Sequence, residues 1–255
     1  DGRVSDQPKL FVLPVKLRNR VEFHLVYEVY VQTNSPAGGE RAGNYRAYID
    51  AHSGKVLWRI NEVHDIEVRG RARGDIQLVT ATDPFVSRDF RNQFVTIGGV
   101  QVVTDTSGRF RRDITAAATL TAQLRGPFVD INRQDGADAL ITMTVNPGDS
   151  VNVFWDISNS HPAERDAFYH VNVVHDYVTQ LDTSFRAMNY VIPCVVNYPL
   201  TCNAQWRGNE GMRFYAEGGG CVNTAQIATV VYHEYGHGVN QRLYEQVRGF
   251  GMQNG

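Results

Sequence analysis

Five consecutive residues, His233-Glu-Tyr-Gly-His237, carry the side chains of this chain that are most directly suited to metal chemistry. On an α-helix, residues four positions apart lie on one face, so both imidazoles can reach a single Zn²⁺ ion. Glu234 lies beside them, where a carboxylate can act as a general base. The pattern therefore predicts a zinc site with His233 and His237 as ligands and Glu234 as the catalytic base.

The residues before this motif predict the helix that the motif needs. Asn223 and Thr224 are typical N-cap residues. Apolar residues then recur at helical spacing, namely Ile227, Val230 and Val231. The opposing interpretation is an amphipathic helix whose histidines lie near the surface. It is disfavoured because Glu234 has apolar neighbours, among which an unpaired carboxylate is costly.

A catalytic zinc site needs a third protein ligand besides water. The extended motif that supplies a third histidine requires Gly at position 240 and His at position 243, and the chain has Asn240 and Leu243. The only acid after His237 is Glu245, which would lie about 12 Å further along a continuing helix. We therefore expect the third ligand outside these 255 residues, and expect the chain alone to hold substoichiometric zinc and to hydrolyse peptides negligibly.

Length, composition and charge limit the class of protein. A chain of 255 residues with 42% apolar residues can form two or three domains with buried cores. The formal net charge is −2 and no block of Lys or Arg is present, which argues against nucleic acid or an anionic membrane surface as a partner. No apolar stretch approaches the roughly 20 residues that span a bilayer, so no membrane span is expected.

Three cysteines, Cys194, Cys202 and Cys221, precede the predicted zinc helix. They form no C-x-x-C pair, so a local disulfide is favoured over a second metal site. Cys202 with Cys221 is the favoured pair, and Cys194 with Cys202 is the alternative. Either pair indicates an oxidising setting outside the cytoplasm, so we predict a secreted, extracellular protein.

Hydrophobic patterns divide the chain into three parts. Strand-like runs before residue 62, with a tight turn at 50–55, predict antiparallel hairpins. Short runs bounded by Gly, Asp and Pro predict a small β-sandwich over 63–156. After Pro162 the periodicity changes and predicts a helix over 163–181. For His170 and His175 on this helix, packing or hydrogen bonding is favoured over a metal-ligand role.

Four blocks in the last part of the chain resemble the first half of a fungalysin-type catalytic domain, from the thermolysin-like (gluzincin) zinc metallopeptidases. The blocks are 166–177, 202–206, 218–225 and 233–238. The turn at 48–57 resembles the end of the propeptide of the same family, and the turn at 104–110 resembles carboxypeptidase-regulatory-like domains.

The resemblance implies an α+β multidomain fold. Its parts are a β-rich, PepSY-type propeptide-like segment at 1–62, a carboxypeptidase-regulatory-like β-sandwich at 63–156, and the N-terminal half of a zincin-type α+β catalytic domain at 157–255.

The resemblance also assigns roles to residues. It implies that His233 and His237 bind zinc and that Glu234 activates the zinc-bound water. It further implies that Asn203 and Ala204 hold the backbone of a peptide substrate along an edge strand. Asn203 also fits a simple turn position after Cys202, so both interpretations stay open.

The implied protein is a secreted zinc endopeptidase that is made as a latent precursor and acts on proteins or peptides. This chain is expected to be an incomplete fragment of it and inactive by itself. The alternative is a secreted structural or self-assembling protein with a truncated protease domain. Such a protein would associate through exposed strand edges or with a missing C-terminal half.

Overall fold

The computed structural model describes residues 2–4, 7–33, 43–62 and 66–246. The chain folds into two compact units, Asp1–Ile66 and Glu67–Gly255. It is rich in strands and contains several antiparallel sheets, which agrees with the predicted β-rich architecture. Within the described part of the chain, no helix is long and apolar enough to cross a membrane.

The described residues of the first unit form one antiparallel sheet of five strands. The strands are β1 (Gly2–Val4), β2 (Lys9–Lys16), β3 (Val21–Thr33), β4 (Gly43–Asp50) and β5 (Val56–Asn61). Strand β3 pairs with β1, β2 and β4, and β4 pairs with β5. The predicted hairpins are therefore confirmed.

The tight turn predicted between β4 and β5 is also present. The Asp50 carboxylate accepts hydrogen bonds from the backbone N–H groups of Ser53 (2.7 Å) and His52 (3.1 Å). These bonds, with the Ser53 N–H first, lower the pKa of Asp50 to about 2. Gly54 has a φ of +70°, which a residue with a side chain rarely adopts. Asp50 and Gly54 thus act as turn residues.

The second unit contains three four-stranded sheets. The strands are β6 (Ile66–Ile76), β7 (Val86–Asp89), β8 (Phe94–Ile97), β9 (Val100–Val103), β10 (Arg109–Ile114), β11 (Ala118–Gln123), β12 (Val129–Arg133), β13 (Leu140–Val145), β14 (Ser150–Trp155), β15 (Ile192–Tyr198), β16 (Ala204–Trp206) and β17 (Met212–Tyr215). One sheet has the order β10-β6-β14 with β7 also paired to β6, the next is β13-β11-β8-β9, and the last is β12-β15-β17-β16.

The last sheet joins two parts that the sequence patterns separate. Strand β12 lies within 63–156 but pairs in parallel with β15, which lies within 157–255. Strand β17 continues the parallel order, whereas β16 is antiparallel and forms the edge of the sheet. One buried cluster also runs through both parts, with the ring centroids of Phe90 and Phe168 5.4 Å apart. Residues 66–156, within the segment predicted as a β-sandwich, therefore contribute a strand and core side chains to the part of the structure that contains the helices.

Helix α1 (Pro162–Leu181) confirms the predicted helix. It begins with Pro162, whose missing N–H costs nothing in the first turn. The side chain of His161 accepts a hydrogen bond from Ala163 N, and Glu164 accepts one from His161 N at 2.7 Å. This reciprocal capping fixes the start of the helix. Helix α1 then packs against β12, β15 and the second helix, α2 (Ala228–Gln246).

Asp166 makes the stability of the protein depend on pH. The side chain is fully buried, one carboxylate oxygen accepts a hydrogen bond from Gln77 N at 2.9 Å, and the other has no partner among the described residues. Burial raises its pKa from 3.8 to about 7, against the opposing effects of the Gln77 hydrogen bond and the Arg165 guanidinium. The folded state therefore keeps a proton that the unfolded state releases between these values, so stability falls as pH rises through this range.

We expect Asp166→Asn to remove this dependence, because an amide keeps the acceptor for Gln77 N and has no proton to lose. At pH 8 the free energy of unfolding of the variant should exceed that of the wild type by ~2–4 kcal/mol, and at pH 4 the two should be similar. Urea denaturation at both pH values measures this difference. If the wild type and the variant lost the same stability as pH rose, Asp166 would not be the group that causes the pH dependence.

Candidate metal centre and peptide groove

The start of α2 differs from the sequence expectation. The side chain of Asn223 does act as a cap, but it caps a short 3-10 turn, Thr224–Gln226. Ile227 is then extended, and α2 begins at Ala228. The backbone N–H of Ala228 donates to the carbonyl of Val79 at 3.0 Å. A distant loop thus supplies the acceptor that the first helical residue lacks.

His233 and His237 lie on one face of α2 and both are exposed. Their Nε2 atoms are 3.0 Å apart, and the ring planes are nearly perpendicular. Two nitrogen ligands of a tetrahedral zinc ion, each about 2.0–2.1 Å from the metal, lie about 3.3 Å apart. The two nitrogens therefore converge closely enough to share one zinc ion.

Glu234 follows His233 on the helix but is nearly buried. Its side chain is only 6% exposed, although its neighbour His233 is exposed. Two adjoining grooves meet at this residue, because both are lined by Asn203, Ala204, His233 and Glu234. We call the one that also includes Val222, Ile227 and Val230 the apolar groove, and the one that also includes Trp206 and His237 the histidine groove. The structure thus brings all five predicted site residues together.

The free edge of β16 presents backbone groups to these grooves. Strand β16 pairs with β17 on one side, and no described strand pairs with its other side. Tyr215 N donates to Asn203 O, and Arg207 N donates to Gly211 O. Because hydrogen-bonded and free positions alternate in an antiparallel pair, the N–H and C=O groups of Ala204 and Trp206 point to the free edge. An extended peptide can pair with these groups.

Trp206 has a role at the edge strand that no sequence pattern indicated. Its backbone lies at the free edge, and its indole Nε1 donates to the Gln241 side chain on α2 at 2.7 Å. Which backbone groups of β16 face the free edge depends on the register of β16 with β17, and the sequence alone does not give that register. Trp206 therefore joins the edge strand to the helix that carries the histidines.

A disulfide joins Cys202 to Cys221, with 5.3 Å between the Cα atoms. This confirms the favoured pairing and excludes the alternative, since Cys194 is free and buried in β15. Burial raises the pKa of the Cys194 thiol well above its usual range. The disulfide ties the residue before Asn203 to the turn that leads toward α2, and both cysteines line the apolar groove.

Glu245 is held on α2 by its own neighbours. Its carboxylate accepts hydrogen bonds from Gln241 (2.7 Å) and Arg242 (2.8 Å), and the Arg242 bond in particular lowers the pKa of Glu245. Within the described ranges, no three His, Cys, Asp or Glu side chains come together as a metal site. The histidine pair offers two nitrogen donors, and a catalytic zinc ion takes three donors from protein.

Two glycines of α2 differ in what surrounds them. A Cβ atom at Gly238 would lie 2.8 Å from Met188 Cε and 2.8 Å from the Trp206 ring. A Cβ atom at Gly236 would meet nothing within 4 Å. Gly238 therefore allows β16 to lie close against the helix, whereas Gly236 is not needed for packing.

We expect Gly238→Ala to lower the free energy of unfolding by about 1–3 kcal/mol, because Met188 and Trp206 must move. Gly236→Ala is the matched control, and it should raise stability by up to about 1 kcal/mol, because alanine is the better helix former. Urea denaturation of both variants measures the difference. Equal stability of the two variants would show that the packing at Gly238 is not required.

Comparisons with known proteins give no assignment for this chain: no protein-family model, no curated protein and no solved structure matches it.

Proposed function

We propose that this chain carries two zinc ligands, the general base and the peptide-binding edge of a secreted zinc metalloendopeptidase. The observation that supports the proposal is the convergence of His233, Glu234 and His237 beside the free edge of β16. Chemically, two imidazoles and a carboxylate next to a peptide-binding edge suit hydrolysis of a peptide bond. The third zinc donor comes from outside the described residues.

Zinc, when bound by His233 and His237, would act as a Lewis acid that polarises a carbonyl and lowers the pKa of water. The Glu234 carboxylate takes a proton from the attacking water and delivers it to the amine that leaves. Hydroxide adds to the carbonyl carbon to give a tetrahedral intermediate, which re-forms the C=O bond as the C–N bond breaks and the amine takes the proton from Glu234. No covalent bond to the enzyme forms. Glu234 is nearly buried but lines both grooves, so its carboxylate borders the space that the substrate and the attacking water would occupy.

The groove residues orient the substrate. Ala204 and Trp206 offer backbone donors and acceptors, which hold an extended peptide in one register. Asn203 is exposed at the start of this edge, where its amide can hold the peptide backbone. Apolar side chains of the apolar groove, Val222, Ile227 and Val230, favour an apolar side chain of the substrate beside the scissile bond.

Secretion and latency belong to the same proposal. The disulfide between Cys202 and Cys221 fits an oxidising compartment. The first unit is proposed as the propeptide-like part of a precursor, supported by its antiparallel hairpins and by the turn between β4 and β5. Its removal would then activate the enzyme.

The experiment for this proposal is zinc-dependent peptide hydrolysis. A polypeptide that contains this chain and the third donor is assayed on a quenched fluorescent peptide before chelation, after chelation and after zinc is restored. Activity should disappear with the chelator and return with zinc. Hydrolysis that persists without zinc, or no hydrolysis in the zinc-loaded protein, would contradict the proposal.

A second candidate function is self-association in a structural role, and one observation favours it. In the first unit, Leu10 pairs with Tyr27 and Val12 pairs with Leu25, which places these side chains on one face of the sheet. Each is at least 36% exposed. Such an apolar face promotes association. Light scattering separates the two candidates, since a monomer at working concentration removes the support for assembly.

A further inference from the structure

A buried set of hydrogen bonds links α1 to α2 through the residue that follows β6. Gln77 is only 4% exposed, and both of its backbone polar groups contact α1. Its N–H donates to Asp166 at 2.9 Å, and its carbonyl lies 3.0 Å from His170 Nε2. The other ring nitrogen of His170, Nδ1, lies 2.8 Å from the Tyr232 hydroxyl on α2.

The same loop also holds the beginning of α2. The side-chain oxygen of Gln77 accepts a hydrogen bond from Gln226 in the 3-10 turn. Two residues further on, the carbonyl of Val79 accepts the bond from Ala228 N at 3.0 Å. These contacts join α1 to the loop after β6, and they join the loop to the start of α2. The contact between Tyr232 and His170 then joins α2 directly to α1.

The partners determine the tautomer of His170. A backbone carbonyl can only accept a hydrogen bond, so Nε2 must carry the proton that it donates to Gln77. Nδ1 is then unprotonated and accepts the hydrogen of the Tyr232 hydroxyl. His170 is 1% exposed, and burial lowers its pKa, which favours this neutral ring.

Tyr232 is well placed to control the rotation of α2 about its own axis. It precedes His233 by one residue, or about 100° around the helix, so it contacts α1 while His233 faces the groove. An imidazole nitrogen lies about 6 Å from the helix axis, so a rotation of about 10° moves it by about 1 Å. Since His233, Glu234 and His237 share the helix, they would move together relative to β16.

We infer that His170 and Tyr232 are positioning residues, which fix the rotation of α2 and so align its metal-binding face with the free edge of β16. The inference rests on the proposed function. A misplacement of this size affects the turnover step, because reacting groups must be held within a fraction of an ångström. A rotation of the whole helix leaves the arrangement of His233 and His237 relative to each other unchanged.

The test compares Tyr232→Phe with Tyr244→Phe, the same change on the exposed part of the same helix. In the zinc-loaded polypeptide that contains this chain and the third donor, Tyr232→Phe should lower kcat about tenfold while the zinc content and KM stay within twofold. Tyr244→Phe should leave kcat within twofold. A merely structural role would lower the unfolding temperature of Tyr232→Phe without lowering kcat below that temperature.

Two further measurements test the inference, and the second of them does not depend on whether a variant folds. The double variant His170→Gln, Tyr232→Phe should lose no more turnover than His170→Gln alone, because the Tyr232 hydroxyl acts through its contact with His170. Independently, ¹⁵N NMR of the chain itself should show His170 protonated at Nε2 and unprotonated at Nδ1. Protonation at Nδ1 would overturn the inference even if His170→Gln did not fold.

The outcomes separate this inference from the proposed function. If the zinc-loaded wild type hydrolyses peptides and Tyr232→Phe keeps its kcat within twofold, only the positioning role is wrong. If the zinc-loaded polypeptide that contains this chain and the third donor does not hydrolyse peptides at all, the proposed function fails and the positioning role fails with it.

Discussion

Replacing Glu234 with glutamine is expected to lower peptide hydrolysis by the proposed enzyme, the zinc-loaded polypeptide that contains this chain and the third donor, by about 10²–10⁴-fold. The amide has the shape of the carboxylate but cannot take a proton from water. Glu234 is nearly buried where the two grooves meet, so bulk water cannot easily replace it as a base. The expected loss is in kcat, and the zinc content should be unchanged, because Glu234 is not a ligand.

Glu245→Gln is the matched control, because it makes the same change on the same helix. Glu245 is bound by Gln241 and Arg242, and it lines neither groove. Its variant should therefore hydrolyse a fluorescent peptide at a rate within twofold of the wild type. A Glu234→Gln enzyme that kept more than a tenth of the wild-type rate would exclude Glu234 as the base.

Replacing His237 or His233 with alanine is expected to weaken zinc binding by the chain by more than about 100-fold. Removing an outer partner of a ligand already costs about 10- to 100-fold in metal affinity, and removing one of two ligands costs more. The Nε2 atoms are 3.0 Å apart, which is close enough for both to contribute to the proposed site. Competition with a chromogenic chelator measures the affinity of each variant.

His52→Ala provides the control for this series. His52 is exposed in the turn between β4 and β5, in the other compact unit. Its loss should leave zinc affinity unchanged. If His237→Ala bound zinc as tightly as His52→Ala, the metal would be held elsewhere.

Local sequence patterns predicted the elements whose signals are local. Helix α1 has a proline in its first turn and apolar residues at helical spacing, and it forms where the pattern places it. The β4–β5 turn follows from Asp50 and Gly54 in the same way. The disulfide pairing of Cys202 was also favoured correctly.

Features that depend on distant contacts were not predictable from these patterns. Helix α2 begins at Ala228 because its N–H meets the carbonyl of Val79, far away in the sequence. The backbone groups at the free edge of β16 are determined by its register with β17. His170 was interpreted as a packing or hydrogen-bonding residue, but its partner Tyr232 could not be named without the fold.

The central claim is that His233 and His237 bind one zinc ion together, and an NMR titration of the chain with zinc tests it most directly. Of the eight histidines, the imidazole signals of His233 and His237 should change first and together, with the largest change at Nε2. The signals of the other histidines should stay in place until these changes are complete. Zinc-induced changes that began at another histidine, or that left His233 and His237 unaffected, would contradict the account.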